Sequence, residues 1–309
     1  MILTVTLNVS IDKRYIINDF KVDEVNRVIE CSYEPGGKGI NVSKVAKIAG
    51  QEVTATGFVA GNAGRYIIEQ LDERGIKNKF TNVLGESRSC INIYDKINKT
   101  QTELLEPGVN VSKEDEDRLF EAIEDLLPKC SVVTISGSAP RGTSHDIYQK
   151  IISLGKEYGK KVILDTSGQR LIDGIDARPT MIKPNIDEIQ MLAGRKLKSK
   201  NELINLAKEI QKQGIEIVVI SLGKDGSLIV SEEGAYRATV PEVKAVNTVG
   251  CGDAMIAGFA IGLKEDMKLI DTIRLASAIS VASALREETG YFVKEDMEDL
   301  YDKIGISTL

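Results

Sequence analysis

The chain has 309 residues, enough for one large core or two modest ones, and its 42% hydrophobic and 28% charged composition is that of an ordinary globular protein. A net charge of −6 and a pI near 5.2 argue against a broad basic footprint, so neither nucleic acid nor a membrane is expected as a partner. The N-terminal MILTVTLN reads as a buried strand without a charged leader or cleavage site, and no apolar run approaches the roughly 20 residues of a membrane span; a cytoplasmic location is expected.

In chain order, an apolar strand over Ile2 to Leu7 is followed by two β-like stretches, Tyr15 to Phe20 and Arg27 to Tyr33, with no helix between them. Helical periodicity then runs from Asn41 to Gly50, a strand from Glu52 to Phe58, and a helix from Gly64 to Gly75. Arg88 to Tyr94 and Thr100 to Leu105 form a second helix-free pair. Ser112 with Asp115 caps a helix reaching Leu127, and strands at Val132 to Ser136 and Val162 to Asp165 flank a helix from Ser144 to Tyr158. A helix over Asn201 to Gly214 precedes a strand from Ile215 to Leu222, and Gly75, Gly159 and Gly214 each stand where a helix should stop.

Such alternation implies an α/β protein in three layers, a mainly parallel sheet covered by helices on both faces. The two helix-free excursions, near residues 11–34 and 86–106, would form a small antiparallel β lid over the sheet's carboxyl edge, where ligands of such sheets bind. The lid is an insertion, and residues 1–309 form one domain. Its uncovered edges suit a homodimer through the lid sheet.

Cys31, Cys90, Cys130 and Cys251 form no C-x-x-C pair, which disfavours a zinc site and a disulfide framework. His145 is the sole histidine and sits at a helix start, so triad hydrolysis and multi-histidine metal sites lack their parts. Carboxylates and lysines remain to do the chemistry.

In NTVGCGDAMIAGFAIGL, Gly250, Cys251 and Gly252 precede an amphipathic run that starts at Asp253. Backbone amides freed by glycine at a helix N-terminus can hold an anion. A carboxylate beside them suits phosphoryl transfer, with Asp253 taking the proton of the attacking hydroxyl. Asp253 as a plain N-cap is the competing account. A dinucleotide fingerprint fails because Met255 replaces the third glycine, and no Walker P-loop is present, since Gly39 follows Lys38. In PGGKGINVSK, Gly36, Gly37 and Gly39 permit close backbone approach, Lys38 supplies a charge ahead of a helix, and Asn41 offers an amide to a sugar hydroxyl; a simple glycine turn would look the same. In MIKPNIDEIQML, Asn185 and Glu188 share a helical face that suits either a capping box or a hydrated magnesium ion. VVISLGKDGSLIV reads as a hairpin turning at Gly223 and Gly226.

Together and in this order, these strings resemble the PfkB (ribokinase-like) carbohydrate kinases over essentially the whole chain. GGKGIN, from Gly36 to Asn41, is similar to the first family signature, and NTVGCGD, from Asn247 to Asp253, to the second. The resemblance implies a ribokinase-like fold, ATP and Mg2+ as cofactors, and Asp253 as the base beside an anion hole of Gly250, Cys251 and Gly252. It implies further that Lys183, Asn185, Ser221, Gly223 and Gly226 line the ATP site and that Asn185 and Glu188 serve the metal. TLNVSIDKRY, PGGKGINVSK and SRSCINI look most like the branch holding tagatose-6-phosphate kinases and 1-phosphofructokinases, which act on sugar phosphates; DEVNRV, GESRSCINI and EETGYF lean toward the former. By the same resemblance Asp12, Gly36 and Gly37 serve the sugar, while Lys38, Arg88 and Asn41 meet its phosphate, a task for which arginine's paired donors are apt. A catalytically idle sugar-phosphate sensor on the same fold is the competing class. Two departures stand out: Val9 replaces a usual proline ahead of Asp12, and Cys251 replaces alanine or serine, from which sensitivity to oxidation or alkylation is expected.

Overall fold

The computed structural model describes residues 1–309. The first half carries β1 (Ile2–Thr6), β2 (Ser10–Ile17), β3 (Glu30–Gly36), α1 (Lys38–Ile48), β4 (Val53–Val59), α2 (Gly61–Glu73), β5 (Lys77–Asn78), β6 (Thr81–Asn82), β7 (Arg88–Asp95), β8 (Thr100–Leu105) and α3 (Lys113–Leu126). The centre follows with β9 (Val132–Ser136), α4 (Ile147–Glu157), β10 (Lys161–Asp165), α5 (Gln169–Asp176), β11 (Met181–Ile182), α6 (Ile186–Ala193), α7 (Lys200–Gln211) and β12 (Ile217–Ser221). Last come β13 (Ser227–Ser231), β14 (Gly234–Thr239), α8 (Cys251–Lys264), α9 (Leu269–Ala284), α10 (Lys294–Tyr301) and β15 (Gly305–Thr308).

Eleven strands make the large sheet, in the order β15-β14-β13-β12-β11-β10-β9-β1-β4-β5 with β6 also on β4. From β12 across to β4 the neighbours run parallel, and β12 to β15 add an antiparallel edge. Period-two alternation divides the core between the sheet's two faces. Leu3, Val5, Val133, Ile135 and Leu164 pack toward α3, α4 and α7. Ile2, Val132, Ile163 and Val219 pack toward α1, α8 and α9. Two glycines set α8 close against α9, because a Cβ on Gly258 would stand 2.4 Å from the Cα of Ala276, and one on Gly262 2.3 Å from Thr272. That packing fixes the α8 N-terminus at the carboxyl edge.

The lid is a second sheet in the order β3-β2-β7-β8. It is mixed, not wholly antiparallel as expected: β2–β3 and β7–β8 are antiparallel, but β2 and β7 run parallel from Ser10 beside Arg88 to Ile17 beside Asp95. Both excursions leave the body from the same edge, so their outgoing strands point the same way. The strands also begin and end elsewhere than periodicity suggested. β2 starts at Ser10 instead of Tyr15, and β3 runs on to Gly36.

Several helix starts differ too. α1 begins at Lys38, α4 at Ile147 and α8 at Cys251, whereas the sequence pointed to Asn41, Ser144 and Asp253. Apolar periodicity sees a helix only where it meets the core, and the first turns of α1 and α8 face the carboxyl edge instead. The Ser112–Asp115 capping box forms as expected, and Gly75, Gly159 and Gly214 carry positive φ at the ends of their helices.

Candidate active site

Lid and carboxyl edge enclose a cavity of about 870 Å3. The lid strands form its roof, chiefly through Ser10, Asp12 and Arg14 of β2 and Arg88, Cys90 and Asn92 of β7, with Ile16 and Tyr94 continuing the same two rows. Their neighbours Ile17 and Ile93 are buried on the other face. The inner face of the lid is thus mainly polar, with Ile16, Tyr94 and Leu105 as its apolar members.

On the body side, Gly250 holds φ at 82° and makes the N-cap of α8, and a Cβ there would lie 2.6 Å from the Thr289 methyl. Asp253 is therefore not the cap but the third helical residue. Ala254 N–H donates to the Gly250 carbonyl at 2.9 Å and Cys251 N–H reaches Thr248 at 3.4 Å, while the amides of Gly252 and Asp253 donate to no carbonyl. Those two N–H groups sit at the positive end of a 14-residue helix and are free for an anion.

The Asp253 carboxylate is 5% exposed and accepts one hydrogen bond, 2.8 Å from Asn41 Nδ2. Burial pushes its pKa up to about 7; Lys38, Asn41 and Lys183 pull it down, and nearby Asp165 adds to the rise. A carboxylate tuned near neutrality, beside unpartnered amides, is what a general base for a hydroxyl needs.

Beneath it lies Asp165, which no sequence motif had marked. It ends β10, is 2% exposed, and has Lys38 Nζ and Lys183 Nζ each 3.4 Å away on its two oxygens. Burial raises its pKa, but the two ammoniums outweigh that and hold the carboxyl below the usual range. Lys38 moves the other way, held above the ordinary lysine value by Asp165 against burial, with Asp253 and Glu188 helping. Lys38 and Lys183 thus bring two positive charges to the amides, set against the carboxylates of Asp165 and Asp253. Lys183 is so close that a Cβ on Gly252 would meet its Nζ at 3.1 Å. The signal for Asp165 was present in VILD, an apolar strand ending in a carboxylate at the ligand-binding edge.

At the lid, Ser10 Oγ donates to Asp12 Oδ1 at 2.7 Å. Asp12 also explains Gly36, since a Cβ on Gly36 would stand 2.1 Å from the Asp12 carboxyl carbon; Gly36 itself is not on the cavity wall. Burial raises the Asp12 pKa, opposed by the Ser10 hydroxyl, Lys44 and Arg88. Val9, in place of proline, is buried and leaves Asp12 aimed inward. Arg88 donates to the carbonyls of Asn8 and Glu106 at 3.2 and 3.3 Å, which holds its guanidinium in the wall. Gly37 caps α1 with φ 104°, and Gly39 lets that helix press on β1, where a Cβ would meet Thr6 Oγ1 at 2.2 Å.

Asn185 and Glu188 form a reciprocal capping box, each side chain accepting from the other's backbone N–H at 2.9 Å. Both line the cavity, as does Ser221. Gly223 and Gly226 do not; they turn the β12–β13 hairpin, and Gly226 permits the approach of the Ala238 carbonyl, 2.1 Å from where its Cβ would be. Cys251 is off the cavity wall, and burial together with Asp253 pushes its thiol up to about 11. A thiol so rarely ionised is a weak nucleophile, which argues against the expected sensitivity. Asn247 also went unread: it donates to the Glu287 carbonyl and to Thr289 Oγ1, and its own Oδ1 accepts from Val249 N–H, which shapes the turn ahead of Gly250. His145 is exposed and pairs with Asp173 at 3.1 Å.

The sequence matches the pfkB family carbohydrate kinases over residues 5–296. It is 35% identical to a tagatose-6-phosphate kinase of Staphylococcus epidermidis over 311 aligned residues, covering 99% of each chain. Among solved structures, phosphofructokinase-2 of Escherichia coli in complex with fructose-6-phosphate superposes with TM-score 0.89 at 26% identity over 98% of both chains. The same enzyme in a tetrameric inhibited form gives TM-score 0.89 over the same share. A Thermotoga maritima protein described as a possible 1-phosphofructokinase gives TM-score 0.89 at 28% identity, covering 100% of this chain and 99% of its own. No helix is long and apolar enough to cross a membrane. The chain belongs to the pfkB family of carbohydrate kinases and is an ATP-dependent sugar kinase.

Proposed function

We propose that this kinase transfers the γ-phosphoryl group of ATP to the free primary hydroxyl of a ketohexose monophosphate, with D-tagatose 6-phosphate as substrate and the 1,6-bisphosphate and ADP as products. One observation carries this reading: a buried Asp253 held by Asn41 beside the free amides of the α8 N-terminus, over the Lys38–Asp165–Lys183 cluster. Asp253 takes the hydroxyl proton as the phosphoryl group departs from ADP. The free amides of Gly252 and Asp253, which follow the Gly250 turn, carry with Lys38 and Lys183 the charge spreading over the transferred group, while the Cys251 amide is engaged by Thr248. Asp12 and Asn41, both on the cavity wall, receive sugar hydroxyls. Arg88, fixed in the roof, grips the resident phosphate.

No three His, Cys, Asp or Glu side chains converge into a closed metal cage. One oxygen of Glu188 accepts from Asn185 N–H, which leaves the other free for a hydrated magnesium ion bound mainly through phosphate. Glu188 and Asn185 would hold such an ion, which would screen phosphate charge. Tyr33, Leu104 and Leu105 expose apolar surface on the lid, and a relative is known as a tetramer, so a second copy of the chain docking on the lid is part of the proposal.

The second reading, fructose 1-phosphate as substrate, is favoured by the likeness to the Thermotoga maritima protein. ADP release measured with tagatose 6-phosphate, fructose 6-phosphate, fructose 1-phosphate and free ribose separates the two. The highest kcat/KM is expected with tagatose 6-phosphate. A preference for fructose 1-phosphate transfers the assignment to the second reading, and a preference for ribose defeats both.

A further inference from the structure

Among the cations that line the cavity, Lys44 is the one that is deeply buried yet takes no part in the phosphoryl transfer. It lies on α1, one turn beyond Asn41, and its side chain is 3% exposed. Its ammonium donates to the Thr289 carbonyl at 2.7 Å and has Glu288 at 3.6 Å and Glu34 at 3.8 Å. Burial draws its pKa below the ordinary lysine range, which Glu288 and Glu34 oppose, Arg74 furthers and Asp12 opposes.

The partners come from three places. Glu34 is on lid strand β3, where it stands directly opposite Asp12 of β2 and also binds Arg74 at 2.7 Å. Glu288 and Thr289 belong to the segment after α9. Thr289 in turn packs its methyl where Gly250 leaves room and accepts from Asn247, so it supports the turn that presents the free amides. Asp12 and Glu34, like charges side by side on paired strands, repel each other unless a cation lies between lid and body. A buried ammonium that touches the lid on one side and the phosphoryl-binding turn on the other is placed to make each sense the other.

We propose that Lys44 is a positioning residue that couples the lid, through Glu34, to the phosphoryl-binding turn at Gly250, through Thr289. A sugar that draws Asp12 and the lid down then also steadies the turn. Without sugar the turn is held less well, and ATP is protected from water-driven hydrolysis. This rests on the assignment of the Gly250–Asp253 turn as the transfer centre.

The test compares the full-length enzyme with Lys44→Met, Lys44→Arg and Glu34→Gln. Sugar-dependent transfer and sugar-independent ATP hydrolysis are measured side by side, with whichever sugar phosphate the substrate panel selects. Lys44→Met and Glu34→Gln should each raise the ratio of hydrolysis to transfer, by about 10-fold for Lys44→Met, a usual size for coupling between sites. Lys44→Arg should restore most of it, because it keeps the charge and a donor for Thr289. A purely structural lysine would lower the amount of active enzyme but leave the ratio alone. An unchanged ratio in folded Lys44→Met, or an arginine variant no better than methionine, overturns the proposal. Should Lys44→Met not fold, Glu34→Gln decides alone, since Glu34 is one-third exposed and its loss leaves Lys44 bound to Thr289 and Glu288. Asp253→Asn run in parallel keeps the two assignments apart: retained transfer there defeats the transfer centre, whatever the Lys44 ratios show.

Discussion

Asp253 at the carboxyl edge and Asp95 at the far end of the lid are equally well hidden, 5% and 2% exposed, yet their surroundings are opposite. Asp95 accepts five hydrogen bonds, from the amides of Asp19, Phe20, Ile97 and Asn98 and from the Asn98 side chain. Burial would raise its pKa, but those donors overcome it and hold the carboxyl far below the usual range. Asp253 accepts one bond and is pushed up to about 7. The lid spends its loop amides on its own carboxylate and gains a fixed shape. The α8 N-terminus leaves its amides open and its carboxylate underbonded, an arrangement that costs stability and leaves room for a reacting phosphoryl group.

The sharpest way to break this comparison is Asp253→Asn. Transfer should fall by about 10²- to 10⁴-fold in kcat, the usual contribution of a general base. Stability should move the other way. A carboxylate whose pKa is raised on folding contributes most below its ordinary value and loses that contribution as pH rises through about 7. Thermal melts should therefore show the asparagine variant gaining on the wild type from pH 4 upward, with the gap levelling above pH 7. The wild-type kcat/KM should carry an acid limb near pH 7, and Lys38→Met should move that limb to higher pH, because Lys38 is the strongest group holding the charge on Asp253. Melts that do not diverge with pH would mean that Asp253 is not strained in the folded protein.

This contrast shows what could be read from residues alone. The layers, the lid's place and the Gly250–Asp253 turn were legible because each leaves a local pattern: alternation, a helix-free excursion, glycines before a carboxylate. The parallel pairing of β2 with β7 left none, since it depends on where two distant hairpins meet. The partners of Asp165 and Lys44 were hidden for the same reason, although VILD does place a carboxylate at the strand's end. Asp165 lies 127 residues from Lys38 in sequence, and Thr289 lies 245 from Lys44. Cys251 shows the converse: its place in the motif suggests a reactive thiol, while burial and Asp253 raise its pKa.

A smaller effect is expected at the other end of the comparison. Asp95→Ala frees four backbone amides in the turns at residues 18–20 and 96–98, at a cost of about 1–3 kcal/mol borne by the lid. Faster hydrogen exchange at Phe20 and Asn98 and a several-fold higher KM for the sugar should follow, with kcat less affected. If kcat falls as far as KM rises, the lid tip governs the chemical step and the separation of shape from chemistry drawn above is wrong.

The smallest effect belongs to the mouth of the cavity, where Arg14 of the lid donates to Glu287 at 3.0 Å. The side chains are 33% and 72% exposed, so water and salt screen the pair, and such contacts are worth about 0–1 kcal/mol. Glu287→Gln removes the pair while keeping the arginine, and should change KM by less than about 5-fold, a difference that shrinks further at high salt. Arg14→Gln removes the pair and a cavity cation together. If the two variants behave alike, Arg14 is only a weak tie between lid and body. If Arg14→Gln raises KM much more than Glu287→Gln, Arg14 acts on the sugar phosphate itself, and the polar roof of the lid has a second cation beside Arg88 for its ligand.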